Sequence, residues 1–244
     1  MQDKKVLIKE FYNSYIEEWE KYPRIDVRKQ YLELLDFSTI KNNQNNNLKI
    51  LDVGCGCGHD AVLLSEILKN NNIANFKGLG IDFSHKAIEN ASNKSLLQNW
   101  IFSSIDFLDT INEFGFDIVV CSMVVMHYQD LNQILGILAS FLNENGKLLL
   151  VTNNPYLVSY EYNISYQREK SYEHIFSIAN SSEKVRADKY LHSISAYFQA
   201  AKEVSLELES YKEILSYNSD TCLYNDKSNN KLDFPNFIAM LFKK

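Results

Sequence analysis

Short apolar runs and longer amphipathic segments follow one another along most of the chain. The apolar runs are rich in leucine and branched residues, which is typical of strands buried on both faces of a parallel sheet. Seven runs predict strands, at residues 49–53, 76–82, 100–106, 116–121, 147–152, 205–211 and 237–242. Repeated strand–helix units of this length favour a doubly wound α/β fold.

The segments between these runs carry apolar residues at helical spacing. They predict helices at residues 60–69, 86–92, 130–142 and 188–204. Ser84 is placed to cap the second of these helices. Residues 3–36 predict one or two further amphipathic helices, and the polar stretch 41–47 separates them from the sheet. We therefore divide the chain into an N-terminal helical segment, 1–40, and a sheet domain, 48–244.

Residues 156–166 show a different pattern, because large apolar residues, most of them tyrosines, recur there at every second position. This alternation predicts a strand with one aromatic face, which would carry Tyr156, Tyr160 and Tyr162. The segment belongs to an insertion at about residues 155–187, between the fifth strand and the last helix. Aromatic walls of this kind suit a small-molecule pocket, and ordinary packing of an added hairpin would explain the same pattern.

The first predicted strand ends in an acid and a glycine-rich loop. Asp52 is followed by Gly54, Gly56 and Gly58, and a helix-like run begins directly after them. Glycine lets the backbone approach a ligand closely and adopt positive φ, and the helix start offers unpaired N–H groups. The loop is therefore predicted to hold a ligand, although a tight turn without one would also use these glycines.

The glycine spacing and the acid before the loop distinguish two kinds of ligand. A dinucleotide fingerprint has the spacing G-x-G-x-x-G, whereas these glycines stand at alternate positions. The carboxylate of Asp52 would repel a diphosphate and would suit a cationic or zwitterionic ligand. A nicotinamide-dependent oxidoreductase is therefore disfavoured, and it stays as an alternative.

The stretch from Asp52 to Gly58 resembles motif I of the class I S-adenosylmethionine-dependent methyltransferases, in which an acid precedes three alternating glycines. The ligand of that family carries an ammonium and a sulfonium and no phosphate. The resemblance covers about residues 48–152. Within the family, the chain is similar to the small-molecule group of ubiquinone biosynthesis (methyltransferase type 11). It implies a Rossmann-like, seven-stranded sheet, mostly parallel with an antiparallel last strand. It also implies an N-terminal helical lid and a pocket-forming insertion after strand five.

The resemblance assigns cofactor contacts to the ends of the other strands. Asp82 falls where the family binds both ribose hydroxyls, and Phe83 can flank the adenine ring. Asp106 and Phe107 fall where the family binds the adenine amine and packs on the ring. The remaining expected cofactor contacts are Cys55 and Ser122, with Tyr12 and Tyr22 as candidates for the tyrosine of the lid.

His127 lies in the segment after strand four, where the family directs the reacting methyl group. Imidazole titrates near neutral pH, so His127 is a candidate catalytic base for a hydroxyl or amine acceptor. The alternative is that it orients a loop or closes over the cofactor. Met123 and His127 are expected to line the acceptor pocket together with the three tyrosines of the insertion.

Composition and charge limit the partners. The 244 residues are 45% hydrophobic, enough for one sizeable α/β domain, and the net charge is −6. This acidic balance disfavours nucleic acid as a partner. Asn154-Pro155-Tyr156 is similar to the Asn-Pro-Pro-Tyr motif of amino-methylating enzymes, but it follows strand five instead of strand four.

No apolar run approaches the length of a membrane span, and the N-terminus shows no export signal, so we expect a cytoplasmic monomer or homodimer. The four cysteines form no C-x-x-C pair and are interpreted as reduced. Cys55, Cys57 and His59 alternate with the loop glycines and could be imagined as metal ligands. Adjacent ligands on one tight loop make a poor tetrahedral cage, so no metal is predicted.

Together these features predict S-adenosylmethionine-dependent methyl transfer to a small-molecule acceptor by direct in-line displacement. Such a site mainly needs alignment of the acceptor and exclusion of water. One alternative is a protein that binds S-adenosylmethionine without turnover, and the other is the oxidoreductase. The sequence does not identify the acceptor, because oxygen, nitrogen and carbon acceptors all occur on this scaffold.

Overall fold

The computed structural model describes residues 12–14, 16–21, 23–37, 48–106, 113–166, 170–177, 184–215, 224–225, 231–232 and 235–244. The helices are α1 (Ile16–Lys21), α2 (Ile25–Leu32), α3 (His59–Asn70), α4 (His85–Ser92), α5 (Leu131–Phe141), α6 (Pro155–Tyr162) and α7 (Ile194–Glu203). Residues 12–14 are also helical, and a 3₁₀ turn covers Val125–His127. None of the described helices is both long enough and apolar enough to cross a bilayer.

The strands follow the predicted order along the chain. They are β1 (Leu48–Val53), β2 (Phe76–Asp82), β3 (Trp100–Ser104), β4 (Phe116–Ser122), β5 (Leu142–Asn153), β6 (Lys170–Ser177), β7 (Lys184–Leu191), β8 (Glu207–Ile214), β9 (Tyr224–Asn225), β10 (Lys231–Leu232) and β11 (Phe237–Lys243). Seven of them form one sheet in the order β3-β2-β1-β4-β5-β11-β8. Neighbours from β3 to β5 pair in parallel, and β11 runs antiparallel to both β5 and β8. The predicted seven-stranded sheet with a reversed last strand is confirmed.

The sheet is buried on both faces, as the continuous apolar runs require. Alternate residues of β5 point to opposite sides, so that Leu148 and Leu150 belong to one core and Leu149 and Val151 to the other. The first core is closed by α5 and α7, and the second by α2 and α3. Helices on both faces leave the ends of the strands as the open edge of the fold, where ligands of such sheets bind.

Two helix starts follow from capping side chains. Ser84 Oγ accepts a hydrogen bond from the Ala87 amide (3.2 Å) and begins α4, as predicted. Asp130 Oδ1 accepts from the Gln133 amide (3.0 Å) and begins α5. Each cap satisfies an amide that the first turn leaves without a partner.

The prediction of a strand at residues 156–166 is wrong, because helix α6 occupies most of this segment. Asn154 Oδ1 accepts from the Tyr156 amide (3.0 Å), and Pro155 takes the first helical position. Asparagine as cap and proline after it are strong helix-start signals, and they outweigh the aromatic alternation. Asn163, at a φ of 50°, ends the helix.

The rest of the insertion is an antiparallel hairpin of β6 and β7. The prediction of a helix from residue 188 is therefore wrong at its start, since residues 188–191 still belong to β7. Helix α7 begins at Ile194, after Ser193 Oγ accepts from the Ala196 amide (3.2 Å). The hairpin is built by pairing between strands, which helical periodicity within one segment does not reveal.

We expect Gly78→Ala to destabilise the fold by about 1–3 kcal/mol, the usual cost of overpacking. A Cβ at Gly78 would lie 2.2 Å from Cδ2 of Trp100, whose ring is buried and donates to Ser65 Oγ (3.0 Å). Gly136→Ala in α5 is the matched control, because its Cβ would meet no atom closer than 3.7 Å. Alanine there should be neutral or stabilise by up to about 1 kcal/mol. Urea denaturation of both variants measures this, and equal effects would contradict the prediction.

Candidate active site

The end of β1 is attached to the end of β2 by backbone hydrogen bonds. Asp52 and Val53 lie opposite Gly80 and Ile81 in the parallel register. The amides of the next two loop residues, Gly54 and Cys55, both donate to the Ile81 carbonyl, at 2.8 and 3.0 Å. The loop after β1 therefore stands beside the residue that ends β2, Asp82.

The three loop glycines all have positive φ, which explains why the sequence needs glycine here. The values are 70° for Gly54, 52° for Gly56 and 75° for Gly58. A Cβ on Gly54 would lie 2.3 Å from Cγ2 of Val124, whereas a Cβ on Gly56 would meet no atom within 4 Å. The backbone at Gly56 therefore borders open space, as a ligand cradle requires.

Asp82 connects the loop to the start of α4. Its Oδ2 atom accepts from the Gly56 amide (3.0 Å), and its Oδ1 atom accepts from the Ser84 amide (2.8 Å). Burial raises the pKa of Asp82, and these two N–H groups oppose the rise. Each carboxylate oxygen has a second lone pair, so Asp82 fixes the loop and can still accept hydroxyl groups.

Asp52 is a buried carboxylate that lacks a complete set of partners. It is 1% exposed, and its Oδ2 atom has no hydrogen-bond partner among the described residues. Burial raises its pKa well above the usual range, and the nearby carboxylate of Asp60 adds to the rise. A buried acceptor without a partner is costly, and a cationic ligand group would satisfy it. The residues present therefore fit S-adenosylmethionine, which brings an ammonium.

A buried polar network, which the sequence analysis missed, joins α2 to the start of α3. Asp60 Oδ1 lies 2.8 Å from NH1 of Arg28 and accepts from the Tyr31 hydroxyl at 2.5 Å. Tyr31 also hydrogen-bonds the side chain of Ser122, a predicted cofactor contact. The charge of Arg28 opposes the rise in the pKa of Asp52. In the sequence, this network was indicated by Asp60 alone, an acid in the first turn of the helix after the glycine loop.

Tyr12 brings the N-terminal segment to the strand ends. Its hydroxyl lies 2.7 Å from Nε2 of His127, and its ring meets Phe83 edge-on, with centroids 5.4 Å apart. Burial raises the pKa of Tyr12, and Asp82 adds to the rise. The phenol is therefore neutral and shares a hydrogen bond with His127, whose tautomer sets the direction of that bond. It joins the predicted adenine side of the site to the predicted acceptor side.

His127 is held in its neutral form. Burial lowers its pKa to about 3, with further contributions from Lys189 and His174. Its Nδ1 atom is buried and has no hydrogen-bond partner among the described residues. A general base works best with a pKa near the working pH, so His127 in this state is a weak base. Its assignment as the catalytic base stays a prediction.

The insertion turns a basic, hydrogen-bonding face towards the 3₁₀ turn that carries His127. Lys189 pairs with Tyr172 across the hairpin, and His174 lies two residues further along the same face. Lys189 is 6% exposed, and burial lowers its pKa to about 8, so it remains a cation at neutral pH. Tyr162 hydrogen-bonds Nδ1 of His174. Lys189 and His174 were not predicted from the sequence, because a lysine in a short strand gives no sign of its burial.

The other predicted residues are spread around these centres. Tyr156 and Tyr160 are exposed on α6, and Tyr156 stacks on Tyr166 with centroids 4.2 Å apart. Asp106, half-buried after β3, raises the pKa of the nearby Tyr128, after the larger effect of burial. Cys55 is buried, and its thiol donates to the Gly56 carbonyl at 3.7 Å. Met123 is half-buried with a φ of 61°, and its amide donates to the Val151 carbonyl at 2.8 Å. Tyr22 and Phe107 lie outside the described residues.

Comparison with known proteins decides the family. A family model described as a methyltransferase domain matches residues 44–199, which is more than half of the chain. The chain belongs to this methyltransferase family. The predictions of a class I methyltransferase and of S-adenosylmethionine as cofactor are thereby confirmed.

The relatives differ in how much of the chain they cover. Malonyl-[acyl-carrier protein] O-methyltransferase from Bacillus cereus is 22% identical over 232 residues, covering 90% of this chain and 84% of the relative. Ubiquinone biosynthesis O-methyltransferase from Coxiella burnetii is 33% identical over 120 residues, covering 47% of each chain. The shorter match is the more similar one.

Solved structures confirm the fold. An S-adenosylmethionine-dependent methyltransferase from Clostridium acetobutylicum superimposes with a TM-score of 0.62 at 16% identity, over 95% of this chain and 98% of that one. Magnesium protoporphyrin IX methyltransferase from Synechocystis, solved with bound S-adenosylhomocysteine, gives 0.63 at 14% identity, over 99% and 100%. At these identities the likeness concerns the fold alone.

We expect His127 to make the protein less stable in acid. The unfolded chain takes up a proton on this residue below about pH 6.5, whereas the folded protein does so only near pH 3. Folding stability from this group is therefore complete above pH 6.5 and falls as the pH drops. Between pH 7.5 and 5.0, the wild type should lose roughly 1–2 kcal/mol more than His127→Gln.

Urea denaturation at the two pH values measures this difference, because effects of all other groups cancel between wild type and variant. His85→Gln, at an exposed position in α4, is the control and should follow the wild type. Equal losses in the wild type and in His127→Gln would show that His127 is not held neutral.

Proposed function

We propose that this protein transfers the methyl group of S-adenosylmethionine to a small-molecule acceptor by direct in-line displacement. The observation that carries the proposal is the buried carboxylate of Asp52, which has an oxygen without a partner among the described residues, next to the open loop at Gly56. The two curated relatives are named as O-methyltransferases, which favours an oxygen acceptor. A cytoplasmic location and the monomeric or dimeric state stay predictions.

The roles of the cofactor residues follow from their chemistry. S-adenosylmethionine supplies a methyl group on a cationic sulfur, which is electrophilic without further activation. Asp52 would face the ammonium, directly or through water, and Asp82 would accept the ribose hydroxyls with its remaining lone pairs. Asp106 is the proposed acceptor for the adenine amine. Because charge is lost along this reaction, the protein mainly has to align the acceptor and exclude water.

The contact between Tyr12 and His127 supports a closing role for both residues. Their hydrogen bond (2.7 Å) lies where the resemblance directs the reacting methyl group. We infer that His127 acts as a positioning residue, which holds Tyr12 over the site and faces the acceptor with its other nitrogen. A weakly basic imidazole is compatible with this role and poorly suited to removing a proton from an alcohol.

The hairpin supports a more specific acceptor. Lys189 is a buried cation close to His127 and His174, and both imidazoles are held neutral. Glu161, which is exposed on α6, raises the pKa of Lys189 against the effect of burial. We infer that the acceptor carries an anionic group, such as a carboxylate, that lies near Lys189. A buried cation beside His127 attracts an anionic group more strongly than the same cation does in water.

Label transfer tests the proposed function. Wild-type protein incubated with methyl-labelled S-adenosylmethionine and a metabolite extract should produce a labelled small molecule.

Asp82→Ala should bind S-adenosylhomocysteine about 1–3 kcal/mol more weakly by calorimetry, because it removes acceptors for the ribose and for the Gly56 amide.

Three results would contradict parts of this proposal. Binding of NAD in place of S-adenosylhomocysteine would favour the oxidoreductase alternative. Tight binding of S-adenosylhomocysteine without a labelled product from any extract would favour a protein that binds the cofactor without turnover. Unchanged affinity in Asp82→Ala would contradict the placement of the ribose.

A second experiment tests the anionic acceptor. The acceptor activity of the extract should be retained on an anion-exchange column, and Lys189→Met should raise KM for that fraction roughly 10- to 100-fold, the worth of a charged hydrogen bond. Affinity for S-adenosylhomocysteine should stay unchanged. Lys170→Met, at an exposed position of the same hairpin, is the matched control. Acceptor activity found only in the unretained fraction would overturn the inference while leaving methyl transfer intact.

A further inference from the structure

Three side chains of different chemistry meet beside the glycine loop. The carboxylate of Glu20 on α1, the thiol of Cys57 and the imidazole of His59 place their ligand atoms within 4.8 Å of one another. Cys57 and His59 alternate with the loop glycines, and Glu20 comes from the N-terminal segment. Loop residues alone make a poor tetrahedral cage, but here the third side chain comes from another element, the helix α1.

One ring nitrogen of His59 is buried without a hydrogen bond among the described residues. The residue is 8% exposed, and its Nε2 atom has no hydrogen-bond partner among the described residues. Nε2 faces Oε2 of Glu20 at 3.4 Å. Ligand atoms at the corners of a tetrahedron with metal bonds of about 2.05 Å lie about 3.3 Å apart. The pair is therefore already spaced as two ligands of one metal ion.

We propose that Glu20, Cys57 and His59 bind a zinc ion, with water in the fourth position. Thiolate, imidazole and carboxylate are the three ligand types that zinc takes in proteins, and tetrahedral sites with three protein ligands keep one open position. Calcium and magnesium prefer sites made only of oxygen. On binding, the Cys57 thiol becomes a thiolate and its proton goes to solvent. Glu20 and Cys57 then balance the two charges of the ion.

Lys94 is compatible with this site because it contacts a different oxygen of Glu20. Its Nζ atom lies 2.6 Å from Oε1, whereas His59 faces Oε2. Carboxylates that ligate metals are commonly fixed by a hydrogen bond to their other oxygen. Lys94 therefore holds Glu20 in position and leaves Oε2 for the metal.

The position of the site connects it to the cofactor loop. Ile16 of α1 is fully buried with Cys57 and Ala87 in a small apolar cluster, so α1 already packs on the loop. A zinc ion would join α1 to residues on both sides of Gly58. Resting on the proposed cofactor site, we expect zinc to slow the release of S-adenosylhomocysteine, because the N-terminal segment is held against the loop that binds it.

Calorimetry with zinc chloride on the reduced, chelator-treated full chain tests the site. We expect one zinc per chain, and binding at least about tenfold weaker in Glu20→Gln, Cys57→Ser and His59→Gln. Glu17→Gln on the same helix is the matched control, and it should bind zinc as the wild type does. Cobalt chloride provides a second readout, since its thiolate charge-transfer absorption should appear in the wild type and vanish in Cys57→Ser.

The outcomes separate the site from its effect. Zinc binding that survives in Glu20→Gln, or is absent from the wild type, would overturn the site. Glu20→Gln is decisive even where the loop variants fold poorly, because the Glu20 side chain is 44% exposed. Release of S-adenosylhomocysteine that is equally fast with and without zinc would overturn the coupling. Neither result depends on the acceptor or on turnover.

Discussion

The hydrogen bonds accepted by Asp82 hold the active site together. One oxygen binds the Gly56 amide and the other binds the Ser84 amide, so a single carboxylate fixes the glycine loop after β1 and the start of α4 after β2. The loop could not be fixed this way by an ordinary side chain contact, because Gly56 offers only its backbone. Charged acceptors make the stronger hydrogen bonds, which suits a loop whose positive φ values are otherwise costly in conformational entropy.

The shape held by Asp82 makes the burial of Asp52 possible. The carboxylates of Asp52, Asp60 and Asp82 lie near one another. Burial, together with repulsion from Asp60 and Asp82, raises the pKa of Asp52. Arg28 and the Tyr31 hydroxyl compensate Asp60 at 2.8 and 2.5 Å, but one oxygen of Asp52 has no partner among the described residues. Unsatisfied buried polar atoms are rare in folded proteins, and each one calls for an explanation such as a water, an ion or a functional role. The ammonium of the cofactor, placed here as we propose, would relieve this local instability.

Short-range signals in the sequence predicted much of this arrangement. The bounds of β2 agree with residues 76–82, and the cap at Ser84 was correct, because both depend on residues within a few positions. The segment after Asn154 was misassigned because two local signals competed there. The aromatic alternation favoured a strand, whereas the asparagine cap and the proline after it favoured the helix that forms.

The parts that were missed depend on contacts between distant segments. Arg28 and Tyr31 reach Asp60 only because α2 packs on α3. A basic residue in an amphipathic helix is normally predicted to face solvent. Lys189 is buried, and its strand, β7, contacts the 3₁₀ turn Val125–His127. The residues next to Lys189 in the sequence give no sign of this contact. Burial of a charge is a property of tertiary packing, so periodicity within one segment cannot reveal it.

The N-terminal segment contacts the loops that we propose to bind the cofactor. Tyr12 binds His127, Asn13 accepts from Ser84 at 2.5 Å, and Ile16 packs on Cys57. Each contact requires its loop to be in place, so the order of the segment and the order of the loops are thermodynamically linked. Linkage is reciprocal: a ligand that orders the loops also favours the docked segment, and any ion that docks the segment favours the ordered loops. If these loops bind the cofactor as proposed, the same three contacts would couple docking of the N-terminal segment to occupation of the cofactor site.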